Sequence, residues 1–257
     1  LTYRADDAVK AIIDEAAAGA PAYDLTADDG IGHTLWVLDD DAKIEQLNQI
    51  FDATDALYIA DGHHRSASAS RVAKENSNES AQYFLSVAFA HDEMKILDYN
   101  RVVRDLNGLS ADELLANTAA AFDLEMSAEA VRPAKPTQFG MYVNGQWYRL
   151  DVHSERVPAD DPVASLDVSL LHSNLIEPLL GISDPRRDDR IDFVGGMRGL
   201  GELEKRVDSG EMEVAFSLYP TTMEALMDVA DANEVMPPKS TWFEPKLADG
   251  LVSHVLD

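Results

Sequence analysis

The stretch from Leu57 to Arg65, Leu-Tyr-Ile-Ala-Asp-Gly-His-His-Arg, constrains this chain more than any other. Leu57 to Ala60 reads as a short buried strand, and the Ala- and Ser-rich run from Ser66 to Lys74 reads as a helix. A strand that feeds a helix through Asp-Gly-His-His-Arg leaves a carboxylate at the strand's C-terminal end. It also sets N–H groups and a guanidinium at the helix N-terminus. Dipole, N–H donors and a bidentate arginine can then act together on a phosphate.

Each residue type in that turn has a physical use. Gly62 lets the backbone turn tightly and approach a ligand. Arg65 offers a planar fork to phosphate oxygens, and His63 and His64 can donate hydrogen bonds, shuttle protons or bind metal. Asp61 can hold a magnesium ion or accept a proton from an attacking hydroxyl. The plainer alternative is that Asp61 caps the helix while one histidine is satisfied in the core.

Around this turn the periodicity predicts a helix over Thr2 to Ala18, a strand over His33 to Leu38 and a helix over Ala42 to Phe51. Gln82 to Ala90 is expected as a central strand with Met94 to Leu97 beside it. The β-α-β-α-β order points to an α/β or α+β layer. Further on, Ser110 and Glu113 form a capping box for a helix reaching about Phe122. Phe139 to Val143 and Gln146 to Val152 flank Asn144-Gly145, the signature of a type I′ hairpin.

A helix over Val168 to Leu180 is expected with Asp167 as its cap and Gly181 as its stop. Arg190 to Val194 reads as a strand before Gly195-Gly196 and a Leu200 to Val207 helix. Glu213 to Tyr219 reads as another strand. Thr221 and Glu224 suggest a capping box for a helix to about Ala232, and Leu251 to Val255 a last strand. The division expected is 1–105 and 106–257.

The 257 residues carry a net charge of −26, from 47 acids against 21 basic residues, which disfavours a nucleic-acid surface or an anionic membrane as partner. Asp39-Asp40-Asp41 and Asp160-Asp161 read as solvated faces or helix starts. Any phosphate site must be a local positive island. No apolar run approaches the roughly 18 residues that span a bilayer. The absence of cysteine excludes disulfides and thiolate metal sites and fits the cytoplasm. The chain opens on Leu1 rather than methionine, as a fragment or processed product would. There is no G-x-S-x-G elbow and no H-E-x-x-H zinc helix.

Asp61-Gly-His-His-Arg65 after an apolar strand resembles the phosphate-binding box of the ParB/sulfiredoxin-like superfamily. Within it the chain is similar to an uncharacterised bacterial and archaeal family akin to the free-serine kinases. The likeness is carried by Tyr58 to Arg65, by Asn100-Arg101-Val102-Val103, and by Met236 to Lys246. It implies an α/β (α+β) fold with a ParB/sulfiredoxin-like core in 1–105 and an additional α/β C-terminal portion. It also implies a nucleotide-dependent phosphoryl transferase acting on a small hydroxyl compound, with ATP or ADP (CTP as the alternative) and Mg2+. His64 and Arg65 would map to phosphate binding, with Gly62 beside them, and Asp61 to catalysis or metal. Two features depart from the family: its long N-terminal segment with a His-Glu motif has no counterpart in residues 1–257, and Asn100 stands where a histidine usually precedes the arginine.

Other candidates carry two readings each. Lys239, Ser240 and Thr241, in a proline-stiffened loop, could contact a phosphate or simply form a turn. Gly195-Gly196 with Arg198 nearby is a tight turn or an anion site. His172 is structural, or the stretch Leu171 to Asn174 faces a pocket. Arg186 to Arg190 reads as a surface ion-pair loop. The leading reading is therefore a small-molecule kinase with Asp61 and His63 as catalytic groups. Its rivals are a non-catalytic nucleotide-binding regulator, free to act through a homo-oligomer, and a metal-dependent hydrolase using Asp61, His63 and His64.

Overall fold

The computed structural model describes residues 1–247 and 250–256. It is a mixed α/β structure that divides into two compact units, Leu1–Met94 with Ala248–Asp257, and Lys95–Leu247. The break thus falls at Met94–Lys95, where the sequence division was placed after residue 105.

In the first unit, β1 (Thr2–Tyr3) is followed by α1 (Asp7–Ala17), whose N-terminal N–H groups are capped by the Asp6 carboxylate. The helix expected from Thr2 therefore starts five residues later, because Asp6 is extended and takes the cap. A hairpin pairs β2 (Tyr23–Thr26) with β3 (Gly32–Leu35), and only β3 was legible as a strand. Next come α2 (Asp41–Asp52), capped by Asp40, then α3 (His63–Glu75) and β4 (Phe89–Ala90), which lies parallel to β1. Asp40 and Asp41 are a helix start, as read. Tyr3, Val9 and Ala90 form a small core closed by Leu47, Ile50 and Phe51.

Expected strands of this unit are reduced or absent. Leu57 to Ala60 makes one bridge, Tyr58 to Thr2, and alternates: Tyr58 and Ala60 are buried, while Leu57 and Ile59 are exposed. Gln82 to Ala90 contributes only β4, with Tyr83, Phe84 and Leu85 exposed. An apolar run becomes a strand only where a partner edge accepts it, and β1 offers two residues. Residues 251–256 likewise form no strand.

The second unit opens with β5 (Lys95–Leu97) and β6 (Tyr99–Val103), then α4 (Ala111–Thr118), β7 (Phe122–Ser127), β8 (Gln138–Val143) and β9 (Gln146–Val152). A continuous helical stretch follows: α5 (Asp167–Leu171), a π-turn over His172–Ile176, and α6 (Glu177–Leu180). It ends at Gly181 in the left-handed region, as read. The unit closes with β10 (Ile191–Gly195), α7 (Leu200–Asp208), β11 (Val214–Leu218), α8 (Met223–Asp231) and β12 (Trp242–Glu244). The six-stranded sheet runs β10-β6-β11-β8-β9-β7, antiparallel throughout. Beside it β12 pairs with β5, so Lys95–Leu97 joins this unit rather than the 82–90 segment.

Strand periodicity explains why this sheet is buried on both faces. Val103, Phe139, Met141, Val143, Val214 and Phe216 point into a core shared with Leu114, Leu171, Leu175 and Val229 of the helices. Val102, Tyr142, Ala215 and Val194 point the other way, against Leu203 of α7. The hairpin turn is as expected, with Asn144 and Gly145 at φ 51 and 75. The Ser110–Glu113 capping box forms, but its helix stops at Thr118 because Phe122 enters β7. Two caps move. Thr222, not Thr221, caps α8, and Asp167 reaches across to the Thr137 N–H rather than capping its own helix.

Candidate functional site

The Asp61–Arg65 turn lies wholly in the first unit. Gly62 is the N-cap of α3 at φ 88, ψ 26, and no side chain caps the helix. Asp61 does not cap it either: its Oδ1 accepts the N–H of Gly62 at 2.7 Å. His63, His64 and Arg65 therefore form the first helical turn, three residues earlier than the sequence suggested. All three are exposed, as is Asp61, so neither histidine is a core residue.

This helix start breaks an electrostatic rule. Its first turn holds no acidic residue, and it sets a guanidinium against the positive end of the dipole. An anion there normally stabilises by about 0.3–1 kcal/mol, and a cation does the reverse. The first N–H groups of the helix lack an intrahelical partner by construction. The helix dipole and N–H donors favour negative charge at this exposed helix start, and Arg65 belongs to the same turn.

A magnesium ion bound through one or two carboxylates plus phosphate oxygens suits the exposed Asp61. No group of three or more His, Cys, Asp or Glu side chains is placed to hold a metal among the described residues. Asp61, His63 and His64 therefore do not assemble the site that a metal-dependent hydrolase would need.

Lys239, Ser240 and Thr241 belong to the second unit. Ser240 is buried, with its hydroxyl given to the Pro237 carbonyl at 2.6 Å. Its carbonyl accepts the Thr221 hydroxyl at 3.2 Å, and Lys239 sits at φ 58. These bonds make the segment a built turn. Gly195-Gly196 is a close-packed corner: a side chain on Gly196 would run into the Asp98 carboxylate, and one on Gly195 would press on Trp242. Asp184 with Arg186 and Asp188 with Arg190 form the expected surface ion-pair loop. His172 lies in the π-turn with a buried Nδ1 that has no hydrogen-bond partner among the described residues.

The sequence marks Asn100 and Arg101 only through the family likeness and does not disclose that they form the polar interior of a strand, β6. Asn100 is fully buried, donating to Asp98 at 2.7 Å and accepting the Leu218 N–H at 3.0 Å. Arg101 is 5% exposed beside it. The available signal was two polar residues running into Val102-Val103 where a central strand would be apolar.

Fold and turn together define a mixed α/β protein with a cationic, uncapped helix start in its N-terminal part. The chain belongs to the family described as "Protein of unknown function (DUF1015)", which matches residues 1–169. No curated protein matches it. Among solved structures it is similar to a free serine kinase in complex with AMP, at 12% identity and TM-score 0.39, over 94% of this chain and 81% of that one. A variant of a free serine kinase in complex with ADP gives 14% identity and TM-score 0.38, over 94% and 82%. A conserved hypothetical protein from Pyrococcus furiosus gives 13% and 0.38, over 94% and 85%. No helix among the described residues is long and apolar enough to cross a membrane.

Proposed function

We propose that this protein binds an adenine nucleotide through the first turn of α3 and transfers a phosphoryl group to a small hydroxyl compound. The observation that carries this reading is the placement of His63, His64 and Arg65 at an uncapped helix start behind a left-handed glycine. The proposal includes a ParB/sulfiredoxin-like character for the segment around the turn.

In this reading Arg65 and the first N–H groups of α3 neutralise phosphate oxygens, and His64 adds a donor. Gly62 keeps the backbone open at the point of approach. Asp61 positions the acceptor hydroxyl or takes its proton, with His63 as the neighbouring proton carrier. A magnesium ion, when bound, would be held by Asp61 and the phosphates and would offset charge there. Phosphoryl transfer needs chiefly positioning and charge stabilisation, which these groups supply.

Calorimetric titration of ADP and ATP, with and without magnesium, tests the reading on the wild type and on Arg65→Ala. The expected result is saturable binding weakened at least tenfold by the substitution. Equal affinity in the two proteins would remove the phosphate site from α3. Serine, named for the free serine kinases, is the first acceptor to try. Turnover abolished by Asp61→Asn with nucleotide affinity retained would establish the catalytic role. Tight binding without turnover on any hydroxyl acceptor would mark a nucleotide-binding regulator instead.

A further inference from the structure

Within the second unit one buried arginine stands apart from those that form ion pairs. Arg186, Arg190 and Arg206 each meet carboxylates. Arg101 is buried and meets no carboxylate among the described residues. Its guanidinium donates to the carbonyls of Tyr99 and Lys239, the latter at 2.9 Å, and lies 5.2 Å from the Phe193 ring centroid. Carbonyls and a ring face ease a buried cation without cancelling its charge. Burial accordingly pulls its pKa down to about 10.

The bond to Lys239 spans 138 positions and pins the 237–241 turn to β6. The Ser240 and Thr221 hydroxyls hold the same turn from two other sides. Lys239 takes a left-handed backbone that non-glycine residues rarely adopt. Its exposed ammonium stands 6.0 Å from the Tyr99 ring centroid, with no carboxylate paired to it among the described residues. Arg101 thus holds the backbone of Lys239, and neither side chain meets a carboxylate among the described residues of a chain of net charge −26.

We propose that the Lys239 turn is a second anion site, specific for a phosphate group, with the Lys239 ammonium as its contact and Arg101 as its positioning residue. Lysine serves phosphate as a point charge, and a phosphate dianion gains more from two nearby cations than a carboxylate does. Arg101 fixes the turn through its bond to the Lys239 carbonyl. The Ser240 hydroxyl is spent internally and takes no part. This inference stands apart from the reading of α3.

The test uses the full chain carrying Arg65→Ala, so that the α3 turn is weakened, titrated calorimetrically with inorganic phosphate and pyrophosphate at low salt. Saturable binding is expected, weakened tenfold or more by Lys239→Met and largely retained by Lys239→Arg. Arg101→Lys, which keeps the charge but cannot bridge both carbonyls, should weaken binding less than Arg101→Met. Both Lys239 substitutions lie on an exposed side chain, so a folding defect in an Arg101 variant leaves the test intact. No saturable binding in the Arg65→Ala chain, or an affinity unmoved by Lys239→Met, overturns the proposal. Binding present in the wild type but lost with Arg65 assigns the phosphate to α3 alone, and also overturns it.

Discussion

The Oδ1 of Asp167 accepts the backbone N–H of Thr137 at 2.8 Å, while its Oδ2 is buried without a hydrogen-bond partner among the described residues. Burial pushes this carboxyl up from 3.8 to about 7, with the Thr137 bond opposing the shift. A raised carboxyl pKa means that the folded state keeps a proton the unfolded state releases. Its contribution is complete below about pH 4 and is lost as pH rises to 7. Asp167→Asn keeps an acceptor for Thr137 and removes the charge. The variant should be more stable than wild type at pH 8 by roughly 1–3 kcal/mol, with little difference at pH 4. Thermal melts across that range check this, and parallel profiles would contradict it.

Gly62 has open space where a side chain would go, so its requirement is for backbone alone. Gly62→Ala should cost about 1–2 kcal/mol from the left-handed conformation, and Gly62→Asn less. Urea denaturation should rank the three as Gly, Asn, Ala. Equal midpoints would mean that α3 can start without the left-handed turn.

Gly140 presents the opposite case. A Cβ there would lie 2.7 Å from the Val131 carbonyl and 2.9 Å from the Trp147 ring, and would run into the Ser217 hydroxyl. That hydroxyl already donates to Val131 at 2.6 Å. Gly140→Ala should destabilise by about 3 kcal/mol, since β8 is packed on both faces. Adding Ser217→Ala should recover little, because the carbonyl and the indole remain. Full recovery in the double variant would identify the hydroxyl as the sole obstacle.

Ser110 accepts the Glu113 N–H at 3.3 Å, and Glu113 accepts the Ser110 N–H at 2.8 Å. Ser110→Ala should cost about 1 kcal/mol in chemical denaturation. The bonds from Ser110 hold the Glu113 carboxyl below its ordinary value, so the box is in place above that value and is lost on acidification. The Ser110→Ala penalty should therefore shrink at pH 3. A penalty unchanged at pH 3 would count against the reciprocal bond.

What the sequence disclosed followed the range of the interaction. Asn144-Gly145, the Ser110 box and the Gly181 stop are set within a few residues, and each was legible. The strands at Leu57 and Gln82 were misjudged because pairing is decided by a distant edge, here the two residues of β1. The Asp61–Arg65 turn could be read as a helix start from its own residues, although its histidines enter the helix rather than precede it. Arg101 could not be read that way. Its character rests on a carbonyl 138 residues along the chain.

The pairing of Lys95 with Glu244 bears on the order in which the chain can form. The backbone leaves the first unit after Met94 and comes back to it beyond Leu247. Once β5 and β12 zip together, that long excursion is a closed loop whose two ends are already neighbours. The tail's contact, made by the His254 ring on the Ser80 carbonyl at 2.9 Å, then closes a loop of about 25 residues instead of about 170. Loop-closure entropy makes that shortening worth about 1.5–2 kcal/mol. Two short strands thus do thermodynamically what a cross-link would do in a chain that has no cysteine to form one.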